Sequence, residues 1–193
     1  MAKNSGKSKA APKRRIGRAP AVLKQTKSKA IKKSTGTASK KSKKATITFI
    51  TGNAKKLEEF KAIMTGDLAQ MYEIKNMGLD LMEIQGSPEE IAKTKVKLAA
   101  TKCKTPVLTE DVSLCFNAYN GLPGPYIKDF LGNVGREGLW KMVQNFKDKS
   151  AYAQCIFAFC AGPKAEPLVF TGRCDGTIVP PRGENMFGWD PVF

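Results

Sequence analysis

Two lysines directly after a Gly-Asn turn, Lys55 and Lys56, and two adjacent carboxylates, Glu110 and Asp111, are the residues here best suited to phosphate chemistry. The turn Thr51-Gly52-Asn53-Ala54 follows an apolar, β-branched run, Ile47-Thr-Phe-Ile50, that reads as a buried strand. Leu57, Phe60, Ile63 and Met64 then recur at helical spacing. A strand–turn–helix unit of this kind gathers free backbone N–H groups, the positive end of a helix dipole and two ammonium groups around one point. Such a point suits a polyphosphate. It is not a Walker loop, because Gly-x-x-x-x-Gly-Lys-Ser/Thr is absent.

Glu110-Asp111 directly follows residues 105–109, which read as a strand ending at Thr109. Strand ends project side chains from a rigid platform into a crevice. Two adjacent carboxylates repel unless a cation sits between or beside them. Magnesium suits the place, since it takes one or two carboxylates together with waters and phosphate oxygens. The plain alternative is a solvated turn. A third candidate is Phe187-Gly188-Trp189-Asp190, whose aromatics could stack on a base while the aspartate accepts hydrogen bonds from its edge. Its plain alternative is a core aromatic cluster at a tight turn.

The chain contains no histidine. That removes the commonest general base and every Ser-His or Cys-His nucleophile pair, leaving carboxylates, lysines and a hard metal ion. The five cysteines show no Cys-x-x-Cys pair and read as small buried hydrophobes in a reducing compartment.

The elements that must position these groups follow from the pattern. The first strand and helix are followed by a strand over 71–75. Ser87-Pro-Glu-Glu90 has the form of a capping box with proline at the first helical position. Its helix is expected to run to about Lys102, with Ile91, Leu98 and Ala99 inward. Gly121-Leu-Pro-Gly-Pro125 reads as a rigid loop without regular structure. Residues 139–146 read as a helix, and 151–161 with 168–178 as a hairpin turning at 162–164. Interleaved strands and helices with a late hairpin predict an α/β or α+β fold built on a mixed sheet.

The net charge of +16 is unevenly spread: residues 1–45 hold 16 Lys/Arg and no Asp or Glu. The remaining 17 basic residues balance the 17 acidic ones, so residues 46–193 read as a neutral folded domain. The first 45 residues read as a disordered basic tail. Clusters at 12–15 and 40–44 suit nuclear import or loose nucleic-acid contact, suit a mitochondrial address less well because lysine predominates over arginine, or simply solubilise the chain. No stretch is apolar enough to span a bilayer, and no apolar run of a secretory signal follows the basic segment. A cytoplasmic protein, with a nuclear address in its tail, is the expectation.

Thr51-Gly-Asn-Ala-Lys-Lys-Leu-Glu-Glu-Phe60, Glu110-Asp-Val-Ser-Leu-Cys-Phe-Asn-Ala118, Gly121-Leu-Pro-Gly-Pro-Tyr-Ile-Lys128 and Phe187-Gly-Trp-Asp-Pro191 occur in that order. Residues 46–193 thereby resemble the eukaryotic branch of the inosine triphosphate pyrophosphatase family. The resemblance implies an elongated α/β fold with a long mixed sheet, flanking helices and a central nucleotide cleft. It implies hydrolysis of ITP, dITP and XTP to the monophosphate and pyrophosphate, with Mg2+ or Mn2+ and usually as a homodimer. Carried over by position, Thr51, Gly52, Asn53, Ala54, Lys55 and Lys56 match the triphosphate loop. Glu83 and Glu110 match metal ligands, and Asp111 matches the base that activates water. Lys95 and Lys128 match lysines at the nucleotide, although each also reads as a solvated lysine. Phe187 to Asp190 matches the segment bordering the purine.

Members of that family continue past this segment to a further lysine and a Ser-His-Arg motif near a closing helix. The resemblance therefore implies a C-terminally truncated member with weakened base discrimination and exposed apolar surface. The competing expectation is a catalytically impaired binding module that engages nucleotide or, through the tail, nucleic acid.

Overall fold

The computed structural model describes residues 44–183 and 187–193. The expected basic tail, with its cluster at 12–15 and all but Lys44 of the cluster at 40–44, lies outside the described residues.

In chain order the elements are β1 (Ala45–Ile50), α1 (Ala54–Ile63), α2 (Gly66–Met71), β2 (Tyr72–Met77), α3 (Pro88–Cys103), β3 (Val107–Phe116), β4 (Pro123–Gly124), α4 (Ile127–Val143), β5 (Ser150–Cys160) and β6 (Leu168–Thr177). A short 3-10 turn, Asp190–Val192, follows. The fold is the expected mixed α/β arrangement. Among the described residues the sheet has six strands, in the order β2-β1-β3-β5-β6 with β4 on β3. β1 pairs parallel with β2 and β3, while β3, β5 and β6 run antiparallel.

The chain goes from β1 through α1 to β2, then crosses back through α3 to β3 on the other side of β1. That makes a topological switch point, and the crevice outside the carboxyl ends of β1 and β3 is where such sheets bind ligands. The two crossover helices lie on opposite faces. Phe60 of α1 stacks on Phe49 and Phe157, and Phe157 is the register partner of Glu110. Val96, Ala99 and Ala100 of α3 pack with Ile156 and Ala158, the partners of Asp111 and Thr109. A second cluster joins Leu114, Phe116 and Ala151 to Leu139 and Val143 of α4. The two long strands β3 and β5 run through both clusters, and the stretch from Glu110 to Ser113 lies between them.

The structure corrects several expected boundaries. β3 does not end at Thr109: its pairing with β1 is recorded only at Thr48↔Val107 and Phe49↔Leu108, but β5 keeps pairing it to Phe116. Glu110 and Asp111 are thus inside a strand. Met71 closes a short helix rather than opening the strand, which begins at Tyr72. Ile63 turns outward, 67% exposed, at the end of α1. The Gly121–Pro125 loop is not wholly irregular, because Pro123 and Gly124 pair with Cys115 and Leu114 after a cis Leu122–Pro123 bond. The expected helix at 139–146 begins earlier, at Ile127, and is broken at Gly135. The capping box at Ser87 forms as expected, and the late strands pair as a hairpin. All five cysteines are free. No helix among the described residues is long and apolar enough to cross a membrane.

Candidate active site

Asn53 caps α1. Its Oδ1 accepts from the backbone N–H of Lys55 (3.0 Å) and Lys56 (3.3 Å), while its own N–H donates to Thr51 Oγ1 at 3.1 Å. The N–H groups expected to stand free for phosphate are therefore partly engaged, because an Asn at this position satisfies the orphan donors of a helix start. What the turn still offers is the helix dipole and two ammonium groups.

Those ammonium groups diverge. Lys56 Nζ reaches across to β3 and sits 2.9 Å from Glu110 Oε2, whose side chain is 7% exposed. Lys55 Nζ lies 3.7 Å from the centroid of the Phe187 ring, a cation–π contact. Glu110 is also held by β5, where the Cys155 thiol donates to Oε1 at 3.5 Å. Burial first, then the charge and hydrogen bond of Glu110, push the Cys155 thiol up to about 12, so it stays a protonated donor.

Asp111 points to the opposite face, as neighbouring strand residues must. There Lys95, from the second turn of α3, donates to its Oδ1 and Oδ2 at 2.8 and 3.1 Å. The same ammonium donates to Glu83 Oε1 at 2.9 Å. Burial works to lower the pKa of Lys95, but Asp111 and Glu83 outweigh it and the net shift is upward. The hydrogen bond from Lys95 holds Glu83 below the usual carboxylate range against some desolvation, helped by the charges of Lys95, Lys128 and Lys56. Lys56 thus meets Glu110 on one face of the sheet, Lys95 meets Asp111 and Glu83 on the other, and the charge of Lys128 is also felt at Glu83.

The Phe187–Asp190 segment divides. Phe187 is exposed and faces Lys55, whereas Trp189 packs into the second cluster, edge-on to Phe193 with centroids 5.7 Å apart. The core-aromatic reading fits Trp189, whereas Phe187 lies exposed under the Lys55 ammonium. Asp190 is exposed and opens the 3-10 turn.

Three residues escaped sequence reasoning. Cys155 is placed against Glu110 only by strand register. Tyr126, whose hydroxyl accepts from Gly86 N at 3.3 Å, ties the Gly-Leu-Pro-Gly-Pro loop to the approach to α3. Arg136 donates through Nε to Gly188 O at 2.8 Å. The glycines at 132, 135 and 138 were its one available signal, since such density in a helical stretch marks a break.

For a divalent ion the donor set is suitable in kind, being carboxylate oxygens beside a phosphate loop. Among the described residues no three His, Cys, Asp or Glu side chains gather as a ready ligand set. Magnesium asks for fewer, completing its shell with water and phosphate. Glu83 and Glu110 are suitable in kind as ligands, and each is held by a lysine, Glu83 by Lys95 and Glu110 by Lys56.

A family model described as the Ham1 family matches residues 47–193. The chain is 54% identical over 148 residues to an inosine triphosphate pyrophosphatase of Tuber melanosporum, covering 77% of this chain and 79% of that protein. It is 53% identical, with the same coverage, to an inosine triphosphate pyrophosphatase of Ajellomyces capsulatus. Among solved structures it is similar to a HAM1 protein from Coxiella burnetii, with a TM-score of 0.67 and 26% identity, over 77% of this chain and 81% of that one.

Proposed function

The chain belongs to the Ham1 family, and on that premise we propose that it hydrolyses ITP, dITP and XTP to the nucleoside monophosphate and pyrophosphate, clearing them from the nucleotide pool. It is a nucleoside triphosphate pyrophosphatase. The observation that carries this reading is the meeting of Lys56 with Glu110, and of Lys95 with Asp111 and Glu83, at the switch point beside the start of α1.

In the chain alone the lysines hold the carboxylates in place. A triphosphate lying along Thr51 to Lys56 offers the same ammonium groups a second anionic partner. Attack at the α-phosphorus builds charge on the non-bridging oxygens and on the departing pyrophosphate, and Lys55, Lys56, Lys95 and Lys128 stabilise both. Asp111 accepts the proton of the attacking water, a task a positioned carboxylate performs without histidine. Glu83 and Glu110 would hold Mg2+ or Mn2+, which would supply Lewis-acid stabilisation of phosphoryl oxygens. Phe187 stacks on the purine and Asp190 borders it. The resemblance set out above supports a homodimer. The charge split supports a basic tail that engages import machinery or nucleic acid.

Pyrophosphate release from ITP and from ATP, followed with Mg2+ and the full chain, tests this. Expected are faster turnover of ITP and a fall in kcat on the order of a hundredfold or more in Asp111→Asn, read at a temperature where the variant is folded. A folded wild-type chain that leaves ITP intact, or an Asp111→Asn variant as fast as wild type, rejects the reading.

A further inference from the structure

α4 is two helical pieces. Gly135 adopts φ 65, ψ −179, a region closed to residues with side chains. The chain resumes helical geometry at Arg136, and Leu139 and Val143 then anchor this second piece in the core. Arg136 is thus presented from a fixed base. Its Nε–H donates to the carbonyl of Gly188 at 2.8 Å in a partly buried setting. Gly188, at φ 51, sits between Trp189, which packs on the same cluster as α4, and Phe187, whose ring lies under the Lys55 ammonium.

From this geometry we infer that Arg136 is a positioning residue for the base-facing segment Phe187–Asp190, acting on the nucleoside half of the substrate and not on the phosphates. The inference rests on the proposed function. A guanidinium N–H to a carbonyl is a charge-assisted, directional bond, and it fixes which way the Gly188 peptide plane turns. That plane sets the attitude of the Phe187 ring. The ring also lies under the Lys55 ammonium, which belongs to the triphosphate loop and is drawn toward phosphates when they bind.

The test uses the full chain with wild type, Arg136→Ala and Arg136→Lys. Steady-state constants for ITP are measured, with inorganic tripolyphosphate as a phosphate-only inhibitor and the melting temperature as a control. Arg136→Ala is expected to raise KM for ITP on the order of tenfold, the loss of one charge-assisted hydrogen bond. It leaves kcat within about threefold and the inhibition constant of tripolyphosphate unchanged. Arg136→Lys recovers part of the loss. Should the alanine variant unfold, the lysine variant carries the test: a raised KM at the wild-type melting temperature supports the inference and a wild-type KM overturns it. An unchanged KM in Arg136→Ala, or a KM and tripolyphosphate constant that rise together, also overturns it. A wild-type chain without ITP turnover takes down the proposed function and this inference together, whereas an active wild type whose KM ignores Arg136 removes the inference alone.

Discussion

A half-buried ammonium group is kept charged by carboxylates that offset its lost hydration. Lys95, with a side chain 17% exposed, has Asp111 and Glu83 for that purpose. The signs follow. Glu83 has a folded pKa lowered from 4.5, so its contribution to stability is complete above that value and is lost as pH falls through the lower, folded one. Lys95 has a folded pKa raised from 10.5, so its contribution is complete below that value and is lost as pH rises through the higher one. Across neutral pH both groups are charged and neither contribution changes. The difference in urea midpoint between wild type and Glu83→Gln should therefore be flat near neutrality. It should shrink toward zero in acid below pH 4.5, where the carboxylate becomes as uncharged as the amide. A difference that grows in acid would contradict the Lys95–Glu83 assignment.

The elements decide where these residues can reach. α3 places Lys95 because Ser87 and Glu90 cap its start reciprocally, Ser87 Oγ accepting from Glu90 N and Glu90 Oε2 accepting from Ser87 N. Ser87→Ala removes that box and should cost about 1 kcal/mol, read as a lower urea midpoint. Pyrophosphate release at saturating ITP should change little, since Lys95 is held at its far end by Asp111 and Glu83 rather than by the cap. The same scale explains why Glu110 and Asp111 each found a different lysine. A strand sends adjacent side chains to opposite faces, α1 covers one face and α3 the other, and each helix brings one ammonium group.

At the scale of the molecule, two apolar clusters are threaded by the same two long strands, so neither is built from its own segment of chain. Loss of either removes the pairing partner that the other depends on. Unfolding by urea should therefore be one transition. Both tryptophans, Trp140 and Trp189, pack on the second cluster, so their fluorescence reports that end alone while far-UV circular dichroism reports the whole sheet. Coincident midpoints are expected; separated ones would make the clusters independent units.

Local signals carried the strand–turn–helix unit at 47–64, the Ser87 capping box and the late hairpin. Each is written in neighbouring residues, through spacing and cap chemistry. The residues suited to phosphate chemistry could be named for the same reason. Which lysine meets which carboxylate was settled by tertiary structure, because β5 extends β3 past the end of β1 and the pleat then points Glu110 and Asp111 apart. The thiol of Cys155 at Glu110, the ammonium of Lys55 over Phe187 and the guanidinium of Arg136 on Gly188 belong there too. Such contacts join residues far apart in the chain, and only sheet register and helix packing bring them within reach.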